Sequence, residues 1–96
     1  MKESQIRKKI TNQLENEGWT WWRATNTRWQ SNDIFTLFDL ICARKNILRF
    51  IQLTTKPNIS KHLKKIKSYF KEHDIEIGCD IWGYDESKDN FDIRYL

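Results

Sequence analysis

Residues 33–54 read DIFTLFDLICARKNILRFIQLT, two apolar runs separated by Arg-Lys-Asn. A strand with one wet face alternates apolar and polar residues, so a run that is apolar at nearly every position over 33–43 is the pattern of a strand covered on both faces. That pattern predicts a central sheet with a helix on each side. The dipeptide Lys45-Asn46 suits a tight hairpin, after which 47–54 returns antiparallel. Two side chains interrupt the apolar runs: Asp39 in the first and Gln52 in the second.

Helices and further strands are readable on either side of this hairpin. Ile6, Ile10 and Leu14 recur at four-residue spacing, which predicts a helix over 2–17 ending near Gly18. The aromatic, Thr-rich segment WTWWRAT at 19–25 predicts a strand, followed by a polar loop at 26–32. Pro57 fits the first turn of a second helix, whose Ile59, Leu63, Ile66 and Phe70 form one stripe. Runs at 75–84 and 90–96 predict two more strands joined by DESKD. The expected fold class is α/β (α+β): one domain over 1–96, in the order α-β-β-β-α-β-β, with a mixed sheet flanked by two helices. A chain of 96 residues suffices for one core and is marginal for two.

Charge is unevenly placed. The net charge is +4, but Leu40–Lys71 holds nine Lys or Arg and no acid, whereas Glu72–Leu96 holds eight acids against two bases. A concentrated basic segment points to a polyanion partner, nucleic acid being the usual one; a solvated helix face is the alternative. Cys42 and Cys79 each lie in an apolar run and read as reduced core residues. No paired Cys/His spacing suggests zinc. No apolar run is long enough to span a bilayer and the N-terminus lacks a signal-peptide core, so a soluble, intracellular (cytoplasmic) protein without a membrane partner is expected.

Side chains alternate along a strand, so Leu48, Phe50, Gln52 and Thr54 share one face of the third strand. In the hairpin, Asp39 comes to the same end of the sheet as Gln52 and Thr54. An Asp carboxylate, a Gln carbonyl and a main-chain carbonyl gathered there form a hard, all-oxygen set suited to Mg²⁺ or Mn²⁺. Such an ion would polarise a phosphodiester and supply hydroxide from bound water. The alternative is that Asp39 and Gln52 hydrogen-bond each other or nearby backbone at a strand edge.

The succession DIFTLFDLI, FIQLTT, SKHLKKI, IWGY and FDIRYL resembles a minimal PD-(D/E)XK nuclease, the superfamily of restriction endonucleases and archaeal Holliday-junction resolvases. The resemblance covers most of the chain and implies a restriction-endonuclease-like domain that hydrolyses DNA with Mg²⁺ or Mn²⁺. It further implies a metal held by Asp39, by Gln52 in place of the family's acid, and by the carbonyl of Leu53. Thr54 stands where the family carries its catalytic Lys. Lys56 is the better substitute ammonium, ahead of Lys65, and Glu3 is the counterpart of a first-helix Glu present in some members. Gln52 is uncharged, so metal should bind more weakly than at a two-carboxylate site, with slow or absent cleavage. Small nucleases of this kind often act as dimers, which makes a homodimer an assembly to test.

Backbone phosphates are expected to meet Arg23, Arg44, Arg49, Lys61, Lys64 and Lys65, through contacts that are salt-sensitive and indifferent to sequence. Arg28 and Trp29 lie in the polar loop before Asp39, where they could hold a phosphate and stack on an unpaired base; anchoring of the loop is the alternative. Most of the other tryptophans read as core or sheet-covering residues. Two rival functions remain: a noncatalytic module like the double-stranded RNA-binding domain, and a nuclease fold without catalysis that serves as a protein-interaction partner.

Overall fold

The computed structural model describes residues 3–24, 34–35 and 37–96. Helix α1 spans Glu3–Asn16 and is followed by β1 (Thr20–Arg23), β2 (Leu40–Arg44) and β3 (Ile47–Thr55). A 3₁₀ turn over Lys56–Asn58 leads into α2 (Ile59–His73), and the chain closes with β4 (Cys79–Asp85) and β5 (Asn90–Tyr95). The strands form one mixed sheet in the order β1-β2-β3-β4-β5, antiparallel except for the parallel pair β3 and β4. A parallel pair needs a long crossover, and α2 supplies it.

Each helix buries its stripe on a different face. Ile10 and Leu14 of α1 pack with Leu40, Cys42, Ile51 and Trp82. Ile59 and Ile66 of α2 pack on the other face with Leu37, Phe38, Cys79 and Ile81. Each fully buried aliphatic or aromatic side chain contributes roughly 1.5–3 kcal/mol relative to exposure. Both cysteines are free and buried, one in each core, and burial pushes each thiol up to about 11.

Helix α1 stops at Gly18, whose φ of 85° suits only a residue without a side chain. There the Trp19 N–H donates to the Leu14 carbonyl at 2.9 Å and the Gly18 N–H to that of Glu15 at 3.1 Å, the two bonds of a Schellman end. At Lys45-Asn46 the expected two-residue turn joins Arg44 to Ile47, with Lys45 taking a left-handed φ of 57°.

One expectation needs correction. The run 33–43 is not one strand. β2 begins only at Leu40, and before it Ile34 and Phe38 form an isolated bridge around Phe35, which has φ 54°. Leu37 and Phe38 are apolar because they plug the α2-side core, not because they pair in the ladder. Most of the described tryptophans cover the core as expected: Trp82 is buried and Trp19 and Trp21 are half-buried against the α1-side core, while Trp22 is 75% exposed on edge strand β1. Among the described residues, no helix is long and apolar enough to cross a membrane.

Candidate functional site

Asp39 is fixed at the point where β2 begins. Its N–H donates to the Ile51 carbonyl at 2.9 Å, and its carbonyl accepts from the Ala24 N–H at 2.8 Å, so its backbone is held between β3 and β1. The last residue pair of β2 with β3 is Leu40 with Ile51, and the Leu53 N–H lies beyond it. Asp39 Oδ2 takes that donor at 2.8 Å, standing in for ladder backbone that has run out.

Gln52 completes the cluster. Its Nε2 donates to Asp39 Oδ2 at 3.2 Å and to the Leu53 carbonyl at 2.9 Å. The Gln52 amide therefore links the other two groups expected to face a metal, the Asp39 carboxylate and the Leu53 carbonyl, in the carboxyl-terminal half of β3. They also make the very contacts of the hydrogen-bonded alternative. The amide nitrogen occupies a place between two oxygen acceptors, where a cation would also be favoured. Turning the amide end for end would exchange that donor for Oε1 and leave three oxygens facing inward, a set that fits Mg²⁺ or Mn²⁺. Only one of the three carries a charge, and the described residues contain no group of three His, Cys, Asp or Glu side chains arranged for a metal.

The substitute ammonium is drawn elsewhere. Thr54 is half-buried on the Gln52 face, opposite Gly83 of β4. Lys56 begins the 3₁₀ turn, and its Nζ lies 3.2 Å from Asp85 Oδ2 at the end of β4. Asp85 also accepts from the Ser87 hydroxyl at 2.7 Å and the Ser87 N–H at 3.1 Å. The Ser87 hydroxyl and then Lys56 hold the Asp85 carboxyl below its usual range, against the opposing effect of burial. Tyr84 donates to Asp89, a bond that with burial pushes its phenol up to about 12, and Lys9 of α1 pairs with Asp89 at 3.1 Å.

These residues border a cleft of about 440 Å³ in which Ile6 of α1 meets Thr55, Lys56, Tyr84, Asp85 and Ser87. It opens at the carboxyl ends of the parallel pair β3 and β4, where ligands of α/β sheets collect. DESKD read as a plain turn, so Asp85 and Ser87 were missed. The signal available was an acid closing a buried strand.

The other expected site residues are dispersed. Glu3 is the first residue of α1, and its side chain lies outside the described residues, as do Arg28 and Trp29. Arg23 is exposed at the end of β1 that adjoins Asp39. Arg44 and Arg49 lie at the opposite end and have partners there. Arg44 stacks 4.6 Å from the Trp19 ring and donates to the Glu17 carbonyl at 2.9 Å. Arg49 donates to Asp80 at 2.7 Å and to the Cys79 carbonyl at 3.0 Å. Lys61, Lys64 and Lys65 are exposed on α2. Beside them the His62 imidazole is held below its usual value by burial, then by Lys65 and Lys61.

No family model matches the chain, and no curated protein matches it.

Proposed function

We propose that the chain is a PD-(D/E)XK-like nuclease domain that binds DNA and, with Mg²⁺ or Mn²⁺, hydrolyses phosphodiester bonds slowly. One observation carries this reading: the Asp39 carboxylate, the Gln52 amide and the Leu53 carbonyl converge at the end of β3. They do so in a sheet whose α-β-β-β-α-β order is that of the nuclease core, with a fifth strand added. A bound divalent ion would supply Lewis acidity toward the phosphate and a lowered pKa for its water. Asp39 would provide the charge that holds the ion, and Gln52 and Leu53 neutral oxygens that fix its position. Thr54 can orient a water through its hydroxyl but cannot take up a proton at neutral pH, and Lys56 is engaged by Asp85. Slow turnover follows from both facts.

The test is cleavage of linear, branched and single-stranded DNA with Mg²⁺ or Mn²⁺, by the wild type and by Asp39→Ala. Loss of cleavage in a variant that keeps its helical circular-dichroism signal is the expected result; full activity in that variant would sink the assignment. The variant also leaves the Leu53 N–H without its carboxylate, so it should lose about 1–3 kcal/mol of stability.

A second reading, nucleic-acid binding without cleavage, is favoured by the Gln52 amide already bridging Asp39 and Leu53. It gives DNA affinity that is independent of divalent metal. A double-stranded RNA-binding-like module has less support. β4 and β5 continue the same sheet, and the helices cover opposite faces, so no α-β-β-β-α unit stands apart.

A further inference from the structure

Helix α1 has a second stripe that packing of Ile6, Ile10 and Leu14 does not explain. Ser4, Arg7, Lys8 and Thr11 follow the i, i+3, i+4, i+7 spacing of a single helix face. In the fold this face meets β1, and the four residues join Trp21 and Arg23 around a cleft of about 170 Å³. Among the described lining residues, three are cationic, two carry hydroxyls, and none is acidic. Glu15 lies one turn further along the stripe and accepts from the Trp21 indole N–H at 2.9 Å. That bond fixes the Trp21 ring as a wall of the cleft. Arg7 is half-buried, while Ser4, Lys8 and Arg23 are exposed and open to an arriving ligand.

Size narrows the ligand. The cleft is well below the ~300 Å³ and upward of sites for small organic molecules. A tetrahedral oxyanion fits that space, and the three cations of the lining favour it over a neutral nucleobase. Position narrows it further. Arg23 pairs in register with Leu40, and the next residue, Ala24, donates its N–H to the Asp39 carbonyl at 2.8 Å. The cleft therefore lies at the Asp39 end of the sheet, on the α1 face, while Gln52 lies on the α2 face.

We infer that the cleft formed by Ser4, Arg7, Lys8, Thr11 and Arg23 is a subsite for one backbone phosphate of a nucleic-acid strand that passes around this end of the sheet to Asp39. The inference rests on the nucleic-acid partner proposed above, but not on cleavage. Arg7 and Arg23 supply planar guanidinium donors suited to two phosphate oxygens, and Lys8 adds a mobile point charge. Trp21 walls the cleft, its ring held by the bond to Glu15.

The experiment is fluorescence anisotropy with labelled duplex and single-stranded DNA over a series of salt concentrations, in EDTA so that cleavage cannot intervene. Arg7→Gln, Lys8→Gln and Arg23→Gln are compared with the wild type and with Lys88→Gln, an exposed cation in the acidic β4–β5 turn. Each cleft variant is expected to bind several-fold more weakly, with the slope of log affinity against log salt reduced by about one, and Lys88→Gln to match the wild type. Lys8 is exposed, so its variant keeps the test valid if Arg7→Gln folds poorly. Unchanged affinity and slope in Lys8→Gln and Arg23→Gln would overturn the subsite, as would wild-type protein that binds no DNA. Inorganic phosphate is titrated in parallel by amide chemical shifts. Shifts at Arg7 and Arg23 without any effect of the variants on DNA would assign the cleft to a free oxyanion and also overturn the proposal. Weakened binding in the cleft variants without cleavage by any form of the protein would leave the subsite standing and remove only the nuclease reading.

Discussion

At residue scale, position 52 sets the electrostatics of the Asp39 cluster. Its amide donates to Asp39 Oδ2 and so stabilises the carboxylate without adding charge. Gln52→Glu would remove that donor and place a second anion beside the first, a cost that a divalent cation offsets. A further unit charge about 4 Å from an ion contributes roughly 1 kcal/mol in bulk water and roughly 4 kcal/mol per charge product at an effective dielectric of about 20. Gln52→Glu is therefore expected to tighten Mg²⁺ binding at least about fivefold by calorimetry. It should also lower the melting temperature in EDTA and recover it when Mg²⁺ is added. Adding Thr54→Lys should then raise DNA cleavage above the wild-type rate; a double variant that binds Mg²⁺ tightly yet cleaves no faster would refute the role given to position 54. Asp39 and Gln52 were legible in the sequence because each breaks an apolar run. The bond from the Leu53 N–H was not, since it depends on where β2 begins. Nor was the direction taken by Lys56, which is set by Asp85 and hence by the register of β3 with β4.

At the scale of elements, the helices and the central hairpin followed from periodicity, whereas the length of β2 did not. Unbroken hydrophobicity marks burial, and burial at Leu37 and Phe38 comes from the α2-side core with no ladder involved. The docking of α2 on β4 has a similarly hidden requirement at Gly83. A Cβ there would lie 2.4 Å from Ile59 Cδ1, 2.5 Å from Ile59 Cγ1 and 3.1 Å from Lys56 Cα. The Ile59 side chain can move, but the Lys56 backbone is held by the 3₁₀ turn that carries the chain off β3. Gly83→Ala is expected to cost about 1–3 kcal/mol in urea unfolding, the range for overpacking. Ile59→Ala, which removes both side-chain atoms, should relieve part of that cost in the double variant but not all of it. Full additivity of the two losses would mean that the close approach does not limit the packing.

For the whole molecule, the basic and acidic clusters are carried by different elements. The basic face of α2 carries Lys61, Lys64 and Lys65, and the acidic β4–β5 turn carries Asp85, Glu86 and Asp89. Composition alone located this polarity along the chain. His62 reports on the basic side from within. Burial disfavours its imidazolium, and the neighbouring Lys65 and Lys61 disfavour it further, so its pKa lies below the ordinary value. Phosphates arriving at these lysines would cancel their repulsion and favour the imidazolium, so binding must raise the His62 pKa and take up protons. By linkage, affinity for DNA should then increase as pH falls through the range in which free His62 is still neutral. The measurement is the His62 ring-proton titration by NMR, free and saturated with duplex DNA at low salt, with His73 as an internal comparison. In the free protein, Lys65→Gln should move the same titration upward by removing one source of repulsion. A His62 curve that shifts in Lys65→Gln but not on DNA binding would show that the lysines act on the imidazole and that the nucleic acid binds elsewhere. An upward shift in both would place the duplex along α2.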